Sequence, residues 1–284
     1  MNIKSRTLLI ALLTSATLTV AKVIVGILTM SMAVFASALD SLMDIFSMAI
    51  GFTAVRAAEM PADDKHQFGH GKAEAIAGLV QAVLIAVSAS FLIWQSFHRI
   101  IDGYRLADEE FGLAMIVVAL VVSYWLARKL KRVGECERST ALAASALNYG
   151  ADVWTNAGVL VALGMEKWAQ VKNADPLISI LISLYIAISA VCIARDAIQQ
   201  LMDLSLPRDM LFAIDHCVRA HSPKAHGYHR LKTRMVGHEK HIEFHLELDH
   251  RLSFEEAHLL TEQIIADIRH AIPDSHVTVH SDPV

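Results

Sequence analysis

Six stretches of this chain, at about 7–30, 32–56, 74–98, 111–127, 141–165 and 176–201, are each apolar over roughly the length needed to cross a ~30 Å hydrocarbon core. In lipid a backbone must satisfy its own polar groups, so stretches of this kind fold as helices or not at all. The composition points the same way: 54% of residues are hydrophobic and the mean hydropathy is +0.42, against about 45–50% apolar residues in a soluble domain. A six-helix membrane domain is expected over 1–205. The first stretch is too long for a signal-peptide core and lacks a small-residue cleavage site, so it is read as retained. Lys4 and Arg6 precede it, and Arg128, Lys129, Lys131, Arg132 and Arg138 crowd the connection between the fourth and fifth stretches, while the first connection has no Lys or Arg. The positive-inside rule then places both termini in the cytoplasm of a multi-pass inner-membrane protein.

After Asp203 and Pro207 the chain changes character, and twelve of its 15 histidines fall beyond residue 205. A helical stretch near 207–220 leads to a strand at 228–236, a turn at Gly237-His238-Glu239 and a second strand from His241. In that strand Ile242, Phe244, Leu246 and Leu248 alternate with His241, Glu243, His245 and Glu247, the period of a half-buried strand. Ser253 and Glu256 form a capping box ahead of a helical stripe of Leu259, Leu260, Ile264, Ile268 and Ile272, and His276 to His280 reads as a last strand. The order αββαβ predicts a small α+β domain of the ferredoxin-like kind over 206–284.

The formal charge of −4 and pI near 6.4 give no basic footprint for nucleic acid. Cys136, Cys192 and Cys217 have no C-x-x-C spacing, so neither a disulfide framework nor a structural zinc site is expected. There is no H-E-x-x-H or comparable motif for an enzyme.

The residues that carry chemistry lie inside the apolar stretches. Asp40 and Asp44 form one i,i+4 pair and Asn148 and Asp152 another, so each pair projects from one helix face. An ionisable group in a span costs roughly 2.5–3.5 kcal/mol on insertion scales and is retained for a task. Three carboxylates and a carboxamide make an all-oxygen set able to close a four-coordinate site for a divalent ion.

These pairs, with Ser37-Ala38-Leu39-Asp40-Ser41-Leu42-Met43-Asp44, the loop His66 to Glu74 (HQFGHGKAE) and Asn148-x-x-x-Asp152, resemble the signatures of the cation diffusion facilitator family, and look closest to its bacterial iron/zinc efflux branch. The resemblance covers the whole chain. It implies a homodimeric exporter that moves divalent transition-metal ions out of the cytoplasm by alternating access, usually against protons, with metal as substrate and regulatory ligand and no prosthetic group. A membrane-anchored metal sensor or assembly scaffold built on the same soluble domain is the alternative. Where that branch has His, this chain has Asn148, which predicts a shift from Zn²⁺ toward the harder Mn²⁺ or Fe²⁺.

The resemblance further matches Asp63, His66 and His70, in the loop between the second and third stretches, to a peripheral metal site. It matches His229, His245, His280 and Asp282, with His258 as a further ligand, to a pair of metal ions at the dimer contact. Alternation already places His245 and His280 on the polar faces of their strands. Lys72 and Asp203 match an ion pair of the family at the cytoplasmic ends of the third and sixth spans. His216, His221, His238, His250 and His270 are read as ordinary surface residues, and His226, His241 and His276 are left open.

Overall fold

The computed structural model describes residues 2–29, 32–102, 110–169, 174–237 and 239–284. Six long helices come first: α1 (Ile3–Thr29), α2 (Met32–Ala58), α3 (Lys72–Asp102), α4 (Glu110–Cys136), α5 (Thr140–Ala169) and α6 (Ala174–Leu201). Among the described residues, Ile3–Ala21, Lys72–Ile101 and Pro176–Leu201 are long and apolar enough to cross a membrane. Most helices outrun the apolar stretch that predicts them. The fourth stretch ends at residue 127 by hydropathy, yet α4 continues to Cys136, because Arg128, Lys129, Lys131 and Arg132 are good helix formers that extend a helix beyond its apolar part.

Packing divides the chain into two units: Met1–Met60 with Ala73–Ile198, and Pro61–Lys72 with Gln199–Val284. In the first unit, Leu8, Ala11, Met48, Val55, Leu126, Leu130, Leu142 and Tyr149 form a core shared by α1, α2, α4 and α5. A smaller cluster of Ile85, Ala89, Ile186 and Ala190 joins α3 to α6. Polar groups here are paired across helices: the Tyr149 hydroxyl donates to the Ala11 carbonyl at 3.2 Å. Lys4, expected ahead of the first span, lies instead in the first turn of α1. It is buried there, with its Nζ 3.2 Å from Glu74 Oε2 of α3. The Ser5 hydroxyl donates to Glu59 at the end of α2.

The second unit contains α7 (Arg208–Arg219), β1 (Ala225–Val236), β2 (Glu239–Leu248), α8 (Phe254–Ala271) and β3 (Ser275–Pro283). Its three-stranded sheet has the order β1-β2-β3, antiparallel between β1 and β2 and parallel between β2 and β3. Ile242, Phe244, Leu246 and Leu248 are buried against Ile214 and Val218 of α7 and Leu260, Ile264 and Ile268 of α8. The capping box is present: Ser253 Oγ accepts from the Glu256 backbone N–H, and Glu256 accepts from the Ser253 N–H at 2.9 Å.

Two local departures shape the unit's polar face. Between His229 and Lys232 the β1 register advances three residues while its partner advances from His245 to Glu243. The extra residue is Arg230, whose φ of 54° lies in the left-handed region, and the result is a β-bulge. It lets Tyr228 and Leu231 both reach the core while His229 and Lys232 both face outward. The second departure concerns segment 61–72, which packs against the β1–β2 turn. A Cβ on Gly71 would lie 2.7 Å from the carbonyl carbon and oxygen of Val236, and one on Gly237, at φ 63°, would lie 3.0 Å from Gly71 Cα. Only glycine fits at either position. Phe68 of the same segment lies under the Arg234 guanidinium, 4.8 Å from its ring centre, and edge-on to His241 at 5.8 Å.

Candidate metal sites

In the helical unit α2 carries Asp44 and α5 carries Asn148 and Asp152, all three half-buried. The Asn148 Nδ2 donates to Asp44 Oδ1 at 2.8 Å, which ties the two helices together at the expected positions. Asp152 stands one turn further along α5, where its backbone carbonyl accepts from Asn156 Nδ2 at 2.8 Å. One turn along α2 from Asp44, the Ser47 carbonyl accepts from Gln81 Nε2 of α3 at 2.5 Å. The side chain of Asp40 lies outside the described residues.

In the 61–72 segment the three expected residues converge. Asp63 Oδ1 accepts from the backbone N–H groups of His66, at 2.6 Å, and Lys65, at 2.9 Å, a turn that folds the loop back on itself. His70 Nε2 lies 3.1 Å from His66 Nδ1 and 3.4 Å from Asp63 Oδ2. The N–H of His66, foremost, holds the Asp63 carboxyl below the ordinary carboxylate range. His70 Nδ1 is buried with no hydrogen-bond partner. Gly69 supplies the positive φ, 75°, that turns the chain between the two histidines.

On the polar face of the sheet, His229 stands opposite His245, and His245 opposite His280. Asp282 Oδ2 lies 2.9 Å from His245 Nδ1 and 3.3 Å from His229 Nε2, and Asp282 Oδ1 lies 3.2 Å from His280 Nε2. His229, His245 and Asp282 have ligand atoms within 4.8 Å of one another, close enough to share one metal ion. The hydrogen bond from His245, with the charges of the three imidazoles, depresses the Asp282 carboxyl. Glu247, not picked out by sequence reasoning, approaches His229 Nδ1 at 3.0 Å. The strand alternation held the signal for it, since Glu247 follows His245 on the same face. His258 is exposed on α8 and outside this group.

The remaining predicted positions separate cleanly. Lys72 Nζ lies 3.0 Å from Asp203 Oδ1 and donates to the Leu201 carbonyl at 3.3 Å, while Arg234 approaches Asp203 Oδ2 at 3.5 Å. His221 bonds Asp267 at 2.8 Å and His250 the Val284 carbonyl at 3.1 Å, both structural contacts. His216, His226 and His270 are exposed, and His238 lies outside the described residues. His241 and His276 gather around Glu239. The three cysteines are free thiols.

Comparison with known proteins identifies the family. Residues 8–202 match the family described as the cation efflux transmembrane domain, and 206–284 the cytoplasmic domain of cation efflux proteins. The chain is similar to the cation-efflux pump FieF of Serratia proteamaculans, with 37% identity over 262 residues covering 92% of this chain and 87% of that protein. Against the FieF pump of Cronobacter sakazakii the identity is 36%, covering 98% and 92% respectively. Among solved structures, the metal-bound C-terminal domain of the CzcD transporter from Thermotoga maritima matches 27% of this chain and 88% of its own length, at 32% identity and a TM-score of 0.26. The chain belongs to the cation diffusion facilitator family of cation-efflux proteins.

Proposed function

We propose that this protein is a homodimeric exporter of divalent first-row metal ions across the bacterial cytoplasmic membrane, with all six long helices spanning it and Mn²⁺ or Fe²⁺ favoured over Zn²⁺. The observation that carries the reading is the contact between Asp44 and Asn148, which joins two helices through oxygen-bearing side chains one turn from Asp152. A dication passing between α2 and α5 exchanges its hydration shell for these oxygens. Asn148 presently offers its amide nitrogen, which has no lone pair for a metal. A half-turn of the carboxamide would present Oδ1 instead, and Asp40 would complete the set.

Carboxylate and carboxamide oxygens suit harder ions, whereas imidazole suits zinc. An amide does not titrate, so the protons exchanged for metal belong to the carboxyls of the two i,i+4 pairs, Asp40, Asp44 and Asp152. The Asp63-His66-His70 group and the His229-His245-His280-Asp282 group, with His258 as a further ligand, serve as cytoplasmic binding sites. An ion bound between two such domains favours the dimer over separated chains.

The deciding experiment is metal-driven flux in vesicles reconstituted with the full chain, comparing Mn²⁺, Fe²⁺, Zn²⁺ and Cd²⁺ with and without a proton gradient. Mn²⁺ or Fe²⁺ flux that exceeds Zn²⁺ and moves protons the opposite way supports the proposal. Zn²⁺ moving far faster than either would overturn the selectivity.

A further inference from the structure

The pairing that sets His245 opposite His280 sets another pair of histidines opposite one another four residues earlier: His241 on β2 faces His276 on β3. At the strand rise of about 3.3 Å per residue, the two pairs are about 13 Å apart on one face of the sheet. The His241 and His276 rings are nearly parallel, 17° apart with centres separated by 5.2 Å. Glu239, two residues before His241 on the same strand face, brings Oε2 to 3.5 Å from His276 Nε2 and 3.9 Å from His241 Nε2. In a tetrahedral site with ligands at 2.0–2.1 Å, donor atoms stand about 3.4 Å apart. The two approaches to Glu239 are therefore close to the required edges; the third edge, between the two imidazoles, is longer than 4.8 Å and would have to close by rotation of His276, whose side chain is 61% exposed.

His241 adds an independent sign. Its Nε2 is buried and has no hydrogen-bond partner, an arrangement that a folded protein avoids unless the atom has a use. Burial, foremost, and then the neighbouring Arg234 charge push its imidazole below the ordinary histidine range. Arg234 itself is turned toward Asp203 at 3.5 Å and covers the Phe68 ring, so part of its charge is already balanced.

We propose that Glu239, His241 and His276 form a further metal site, apart from the His229–Asp282 group, that takes a borderline divalent ion such as Zn²⁺ or Ni²⁺. Two imidazoles and one carboxylate, with a fourth position left to water, are a donor set such ions favour. Phe68 closes the side of His241, so an ion here also bears on the segment that holds Asp63, His66 and His70. The site depends on no transport step and stands or falls apart from the exporter reading.

The test counts ions on the full-length protein in detergent. Zn²⁺ bound at equilibrium dialysis is measured for a background lacking the other soluble-unit sites (Asp63→Ala, His70→Ala, His229→Ala, His245→Ala), alone and with His276→Ala or Glu239→Gln added. Both added residues are at the surface, and circular dichroism verifies that each variant is folded. The expected result is that His276→Ala removes one equivalent and Glu239→Gln weakens that equivalent at least about tenfold. Loading with Co²⁺ should give visible absorption bands that His276→Ala diminishes. Equal Zn²⁺ stoichiometry and equal affinity with and without both substitutions would overturn the proposal.

Discussion

Asn148 of α5 donates through Nδ2 to Asp44 Oδ1 of α2 across 2.8 Å, so a neutral amide meets a carboxylate between the two helices. That bond occupies one oxygen of Asp44 and keeps the helices in register. It also makes the amide's orientation the variable that decides whether a nitrogen or an oxygen meets an incoming ion.

Replacing the amide should therefore change which ion is preferred. Asn148→His should raise Zn²⁺ flux relative to Mn²⁺ by about tenfold, because imidazole is the better ligand for the softer ion. Initial rates in reconstituted vesicles, taken for both ions at matched concentration, measure the ratio. An unchanged ratio would remove ligand hardness as the source of selectivity.

Asp44→Ala and Asp152→Ala should each reduce metal flux to the level of protein-free vesicles while leaving binding in the soluble unit intact. Isothermal titration of the same purified variants separates the two effects. Persistent flux in both would take the transport role away from α2 and α5.

The buried pair of Lys4 and Glu74, with side chains only 5% and 6% exposed, yields a stability prediction. Removing Glu74 leaves the Lys4 ammonium buried without this counter-ion, at a cost of about 3–5 kcal/mol. Glu74→Ala should lower the thermal transition of the detergent-solubilised protein markedly, and Lys4→Met combined with Glu74→Leu should recover most of the loss.

The capping box gives a pH dependence with a definite sign. The Ser253 N–H, foremost, and the Ser253 hydroxyl lower the Glu256 pKa in the folded state. Its contribution is thus present above the unfolded glutamate pKa of about 4.3 and is lost as pH falls through the lower folded value. Glu256→Gln should flatten that part of the profile. Ser253→Ala should weaken the start of α8 by about 1 kcal/mol at neutral pH, visible as faster amide exchange in its first turn.

Much of this arrangement was legible in the residues. The alternation from His241 to Leu248 sorts core from surface without error, since Ile242, Phe244, Leu246 and Leu248 are all buried. The Ser253–Glu256 spacing marks the start of α8 where it occurs. The i,i+4 spacing of Asn148 and Asp152 sets both on one side of α5, but only tertiary packing reveals that the amide points its nitrogen at Asp44. Segment 61–72 was harder to place. Its seat against the β1–β2 turn depends on two glycines more than 160 residues apart in sequence, Gly71 and Gly237, leaving room for each other's backbone, and no local pattern encodes such a fit. Glu247 was written into the alternation, yet its role emerges only once β1 brings His229 alongside.

The bulge at Arg230 inserts a supernumerary residue between two stretches of β1 that already alternate in step with β2. Deleting Arg230 would leave Tyr228 opposite Leu246, His229 opposite His245 and Lys232 opposite Glu243, so both faces of the strand would keep their side chains and only the local kink would go. A one-residue deletion inside β2, which is paired on both sides, would instead put one part of its alternation on the wrong face. The length of the edge strand is free to vary at this point where that of the central strand is not.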